Sequence, residues 1–301
     1  LEIDPDREQT YYRLGVIYGE LERFSEGLES LQKSLRLNPN HLDTLFQLGR
    51  FNSILGNYQK STNHLNKLLK LAPNYSQVGL LSGKNLVELN QFKSALPYLE
   101  KAVQQQPDSF EAQFYFGLNL IRLNRSADAI GHFQKAVKIK PESALTFNHL
   151  GQTYQKLKMY PDAIFSYKQA TRIEPNFTDA YNQLGSLYTF QKNYEMAIKM
   201  FQGAVQSNKK FQSGYLNLGM IYEILGRHPE AIEQYNNILA LNPDHQKALL
   251  NLGWVMMDEN RYMEAILPLK HAINLNLENT DAHYSLGLVF DRLKRYKDAQ
   301  D

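Results

Sequence analysis

Side chains suited to acid–base or metal chemistry are plentiful in this chain, but they are not organised for it. The eight histidines are His41, His64, His132, His149, His228, His245, His271 and His283. No two of them have the i, i+4 spacing that sets paired imidazoles on one helix face around zinc. Cysteine is absent, so neither a thiolate metal site nor a disulfide framework can form, and no redox compartment can be read. The carboxylates belong to a balanced background of 33 basic and 31 acidic residues, net +2. Such a balance lacks the basic footprint that nucleic acid requires, and it gives no reason for a polybasic membrane contact. No glycine-rich phosphate loop follows a strand pattern, so no cofactor, metal or catalytic set is expected. Recognition chemistry, by contrast, is organised. Trp254, the only tryptophan, has Leu250 four residues before it and Met257 three residues after it, one apolar helix face. Gln183, Asn217 and Asn251 recur 34 residues apart, and each side-chain amide both donates and accepts hydrogen bonds.

The interval of 34 runs through the whole chain. Gly15, Gly49, Gly83, Gly117, Gly151, Gly185, Gly219, Gly253 and Gly287 stand in one register without a gap. The residue before each is nearly always large and apolar, as in Leu14, Leu48, Phe116, Leu150 and Leu184. Twelve residues after each glycine comes a small residue: Gly27, Ser61, Ala95, Ala129, Ala163, Ala197, Ala231, Ala265 and Ala299. Proline closes most units, at Pro5, Pro39, Pro73, Pro107, Pro141, Pro175 and Pro243.

Within one period, Phe147, Leu150, Gly151 and Tyr154 mark one face of a first helix. Pro161 opens a second helix, whose buried face carries Ala163, Tyr167 and Ala170. Pro175 ends it, because the residue before a proline is pushed out of the helical region. Glycine inside a helix costs about 1 kcal/mol against alanine, so nine of them imply a close approach of the partner helix. The small residue twelve positions on is the expected neighbour. Tyr154, Tyr167, Tyr188, Phe201, Tyr222 and Tyr235 are expected to fill the space between helix pairs.

This pattern resembles the tetratricopeptide repeat family. Asn182-Gln183-Leu184-Gly185-Ser186-Leu187-Tyr188 and Asn217-Leu218-Gly219-Met220-Ile221-Tyr222 carry the resemblance most closely. It implies an all-α fold, a right-handed superhelical solenoid of helix–turn–helix repeats. Full repeats are expected at 8–41, 42–75, 76–109, 110–143, 144–177, 178–211, 212–245 and 246–279. Residues 1–7 then read as the tail of a preceding repeat, and 280–301 as a truncated ninth. Neither end carries a polar capping helix, which solenoids usually need, so a segment of a longer array is expected.

Departures from the pattern carry their own expectations. Lys209 and Leu277 replace the closing proline, predicting softer junctions. Pro97 and Pro268 fall inside second helices, predicting local kinks. The third repeat is poor in bulk at Gly79, Ser82 and Gly83, which reads either as drift or as a flex point or close backbone approach to a partner. Asn74-Tyr75-Ser76, Asn124-Arg125-Ser126 and Asn176-Phe177-Thr178 fit the glycosylation triplet. The N-terminus has no signal-peptide pattern, and the triplets carry no weight without one.

The resemblance also implies an inner groove lined by the first helix of each repeat, at positions 2, 5, 6, 9, 12 and 13 with the glycine as position 8. In repeats three and four this stripe is apolar, with Leu80, Leu81, Phe114, Tyr115, Leu118 and Ile121. It turns polar in repeats five and six, with Asn148, His149, Gln152, Gln155, Asn182 and Ser186. From repeat seven it is apolar again, with Leu216, Met220, Ile224, Leu250, Trp254, Met257, Tyr284 and Leu288. Two readings stand: these side chains pack between repeats, or they dock an amphipathic helix or apolar peptide. Gln183, Asn217 and Asn251 look like part of the asparagine ladder of O-linked N-acetylglucosamine transferases, which would grip an extended peptide backbone. The carboxylate clamp of chaperone-binding members is not rebuilt, since position 5 is never Lys and Arg50 and Lys84 occupy only position 9. The expected function is a non-catalytic scaffold that binds a protein or peptide. The alternatives are the substrate-recruiting arm of a larger enzyme, such as a glycosyltransferase, and an array that self-associates through uncapped ends. No run of 18 apolar residues exists to enter a membrane.

Overall fold

The computed structural model describes residues 5–73, 75 and 78–294. Residues 1–4 of the expected N-terminal tail, Asn74 and Ser76 of the first triplet, and Ala299 with the end of the ninth repeat lie outside them. The described residues form seventeen α-helices and no strand. They fall into two compact units, Leu1–Met159 and Tyr160–Asp301. In the first unit the first helices are α1 (Pro5–Glu20), α3 (Leu42–Ile54), α5 (Val78–Glu88), α7 (Phe110–Arg122) and α9 (Ala144–Lys156). Their partners are α2 (Phe24–Leu37), α4 (Tyr58–Leu71), α6 (Phe92–Gln105) and α8 (Ser126–Ile139). The second unit holds α10 (Tyr160–Ile173), α11 (Thr178–Phe190), α12 (Tyr194–Ser207), α13 (Gln212–Ile224) and α14 (His228–Leu241). It ends in α15 (Gln246–Asp258), α16 (Tyr262–Leu275) and α17 (Thr280–Arg292). Pro5 opens α1, a position where its missing N–H is no loss.

The turn inside each repeat repeats to the residue. Glu22, Gly56, Asn90, Asn124, Lys158, Lys192, Gly226, Asn260 and Lys294 all have φ between 56° and 75°. Each sits at position 15, and only two are glycine. The following N–H reaches back five residues, as in Arg23 to the Tyr18 carbonyl and Arg227 to the Tyr222 carbonyl, both at 2.8 Å. This bond satisfies carbonyls that the helix end leaves without partners, and it holds non-glycine residues in the left-handed region. Between repeats, a second turn bond is equally regular. At Lys209 and Leu277 it is unchanged: Phe211 N–H donates to the Asn208 carbonyl at 3.0 Å, and Asn279 N–H to the Asn276 carbonyl at 3.1 Å. The softer junctions expected there are absent from the hydrogen bonding. Pro97 and Pro268 likewise stand inside the single helices α6 and α16, neither of which is broken.

The glycine register has a second, larger partner beside the small residue anticipated. A Cβ on Gly49, Gly83 or Gly253 would meet Leu65, Leu99 or Leu269, sixteen residues on. On Gly117, Gly185 and Gly219 it would meet the rings of Phe133, Phe201 and Tyr235. The missing side chain therefore makes room for a large buried residue. The small residue twelve positions on lies against the glycine's carbonyl, as Ser61 does when its Oγ donates to the Gly49 carbonyl at 2.5 Å.

In the third repeat Gly83 makes room for Leu99, and buried hydrogen bonds tie the repeat to the one before it. Ser53 Oγ donates to Asn85 Oδ1 at 2.6 Å, and Asn85 Nδ2 donates to Ser61 Oγ at 2.7 Å. Asn85 is fully buried and bridges two repeats. One period later, Asn119 is equally buried, yet neither of its amide atoms has a hydrogen-bond partner among the described residues. A buried amide without partners costs roughly 1–3 kcal/mol. Asn119→Leu is therefore expected to raise the unfolding free energy by about 1 kcal/mol in urea titration. A lower value than the parent's would mean that the amide is satisfied in solution.

Candidate functional site

In the second unit, the stripe expected to bind is largely open. Met220 and Ile224 on α13, Trp254 on α15, and Tyr284 and Leu288 on α17 are exposed. Leu216, Leu250 and Met257 are half-buried, and the latter two pack against the core of Ala265, Leu269 and Val289. Trp254 is 40% exposed. Its indole Nε1 donates to Ser285 Oγ at 2.7 Å, and that hydroxyl donates to the Asp281 carbonyl at 2.6 Å. The ring is thus pinned between α15 and α17 with part of its surface left to solvent. Beside it opens a cleft of about 670 Å³, walled by Leu250, Asn251 and Trp254, the start of α15 at Gln246 and Lys247, and the turn from Asn276 to Asp281.

In the first unit the expected stripe is half-buried at Leu80, Leu81, Tyr115, Leu118 and Ile121 and buried at Phe114. Phe114, expected in the groove, is 7% exposed, stacks on Phe110 at 5.8 Å and meets Phe133 at 6.1 Å. His149, 5.6 Å from Phe114, is half-buried, and burial lowers its pKa. Tyr115 and Leu118 are half-buried. The Lys84 ammonium lies 5.5 Å from the Tyr115 ring centre, and burial pushes the Tyr115 hydroxyl up to about 12.

Two amides of the expected ladder make hydrogen bonds inside the protein. Asn251 is 5% exposed, and its Nδ2 donates to the Tyr235 hydroxyl at 3.2 Å. Asn217 Nδ2 donates to Asn182 Oδ1 at 3.0 Å. Two of the three amides have committed a donor inside the protein, and Gln183 is half-buried. A 34-residue spacing aligns these side chains but cannot say which neighbour takes them up.

Family models described as tetratricopeptide repeat match residues 8–41, 144–177 and 213–245, residues 42–75 and 178–211, and residues 80–144. The chain belongs to the tetratricopeptide repeat family. Its fold class is the all-α solenoid of tetratricopeptide helix pairs. No curated protein matches the sequence. Among solved structures, YrrB, described as a TPR protein with an unusual peptide-binding site, is 21% identical with a TM-score of 0.54. That match covers 62% of this chain and 96% of YrrB. MamA from Desulfovibrio magneticus RS-1 is 27% identical with a TM-score of 0.53, covering 56% of this chain and 96% of MamA. The APC/C hetero-tetramer Cut9–Hcn1 is 20% identical with a TM-score of 0.52. There the match covers 88% of this chain but only 52% of the neighbour.

Within this tetratricopeptide array, two further features belong to the site. Glu223, on the same face of α13, has its carboxyl raised above the usual value, first by burial and then by the nearby Asp258 charge, against hydrogen bonding to Tyr235. Burial raises the Tyr235 hydroxyl as well. The turn carrying Glu278 was missed because it lies between helices, where helical periodicity carries no information. Its one signal in the sequence is Leu277 standing where the closing proline belongs. Among the described residues, no group of His, Asp and Glu is placed to hold a metal ion, and no helix is long and apolar enough to cross a membrane.

Proposed function

We propose that this tetratricopeptide array is a non-catalytic scaffold that binds a peptide or partner helix along the exposed stripe of its second unit. The observation that carries this reading is Trp254, held by Ser285 yet 40% exposed, with Met220, Ile224 and Leu288 of the same stripe also exposed. A pinned aromatic loses little conformational freedom on binding, which is where association spends much of its free energy. Tryptophan is also enriched among residues that dominate binding energy. Peptide binding in YrrB, a neighbour in fold, and the hetero-tetrameric assembly of Cut9–Hcn1 support a protein or peptide as the class of partner. Phe114 contributes indirectly by supporting Tyr115, and the amides of Asn217 and Asn251 act as struts of the stripe.

The test uses the full chain to select binders from a displayed library of random peptides. Because Trp254 is the only tryptophan, its emission reports occupancy directly. Selected peptides are expected to shift that emission. Trp254→Ala is expected to weaken them by about 30-fold, the roughly 2 kcal/mol typical of a hot spot, and Leu250→Ala by less. Unchanged affinity in the Trp254→Ala, Leu250→Ala double variant would overturn the proposal.

A further inference from the structure

The cleft beside Trp254 has a chemistry that the apolar stripe does not. Its wall is rich in acceptors. Glu278 and Asp281 bring two carboxylates, and neither has a salt-bridge partner among the described residues. Asn251 is more than nine-tenths buried and lines the same cleft. Its Nδ2 is committed to Tyr235, which leaves the Oδ1 as the acceptor of that amide. Asn276 and Asn279 also line it, their oxygens already accepting the N–H groups of Glu278 and Ala282. One cation, Lys247, stands in the wall against the two carboxylates.

We infer that this cleft receives an arginine of the bound peptide, next to apolar residues that lie along Met220, Ile224 and Leu288. The inference rests on the reading of the stripe as a peptide site. Arginine matches on three counts. It brings five N–H donors and no acceptor to a wall that offers acceptors. Its charge is opposite to the unpaired carboxylates. Its planar guanidinium can stack on an indole, and the hydrogen bond to Ser285 holds the part-exposed Trp254 ring in place before binding. At about 670 Å³ the cleft has room for a whole side chain with its flanking backbone. Lysine fits less well, because a point charge cannot serve Asn251 Oδ1 and a carboxylate with one planar fork.

The experiment uses peptides selected by display on the full chain, titrated by calorimetry in their original form and with arginine replaced by citrulline. Citrulline keeps the shape and removes the charge. The expected selection is rich in arginine beside apolar residues. Glu278→Gln with Asp281→Asn is expected to weaken the parent peptide about tenfold, and raised salt to weaken it further. The citrulline peptide is expected to bind the parent chain about as weakly, and to lose nothing more against the double variant. Both substitutions keep side-chain size at exposed positions, and a matching circular dichroism spectrum verifies the fold. Peptides that need Trp254 but ignore citrulline and the carboxylate variants would overturn this inference and leave the scaffold reading standing. Peptides that bind without needing Trp254 would overturn both.

Discussion

Gly185→Leu is expected to cost the second unit about 3 kcal/mol of stability. A Cβ at Gly185 would lie 2.6 Å from Phe201 Cε1, 2.7 Å from Cδ1 and 2.8 Å from Cζ. The Phe201 ring is almost wholly buried on α12, so it has nowhere to swing. Leucine is the better helix former by under about 1 kcal/mol, and overpacking by a whole side chain outweighs that gain. Gly131 on α8 is the control. It is exposed, and nothing lies within 4 Å of its Cβ position, so Gly131→Ala is expected to add about 1 kcal/mol. Urea unfolding followed by circular dichroism measures both. Gly185→Leu combined with Phe201→Ala should cost clearly less than the two changes summed, because the smaller residue vacates the contested space. A tolerated Gly185→Leu would mean that the register of small residues does not set the helix approach.

Asn85→Asp is expected to cost the first unit about 3–5 kcal/mol at neutral pH, the range for an uncompensated buried charge. The two side chains have nearly the same shape, so packing is preserved. One carboxylate oxygen keeps the hydrogen bond from Ser53 Oγ. The other faces Ser61 Oγ, whose proton is already given to the Gly49 carbonyl. The charge therefore sits in a fully buried site with one donor. Protonation restores the missing donor, so burial raises the folded-state pKa of this aspartate above its unfolded value. Below about pH 4 both states are protonated and the variant should approach the parent. Its deficit should open as pH rises above that point and level off once the folded carboxyl has ionised. Denaturation of parent and variant across this range, compared at each pH, tests the sign. A deficit that is equal at acid and neutral pH would show that the damage is geometric and not electrostatic.

The contrast between Asn85 and Asn119 illustrates how far the repeat can be read. They occupy the same position one period apart, and the pattern treats them alike. Only the neighbours distinguish them: Ser53 and Ser61 serve Asn85, while no described group serves Asn119. The same holds for the stripe. Phe114 and Leu250 both stand at position 5, yet Phe114 is enclosed by Phe110, Phe133 and His149 while Leu250 borders an open cleft. The left-handed residue at position 15 was invisible because glutamate, lysine, asparagine and glycine all fill it, so residue type carries no signal there.

What the sequence determined by itself was the local order: a helix pair every 34 residues, the buried face of each helix, and the glycine that admits a neighbour. These follow from periodicity, which is a property of one segment and is written in its residues. Tertiary structure decided what remained open after packing, namely the partial exposure of Trp254, the burial of Phe114 and Asn251, and the cleft at the turn before α17. Those outcomes depend on which side chain the next repeat supplies, and contacts between segments have no period to read.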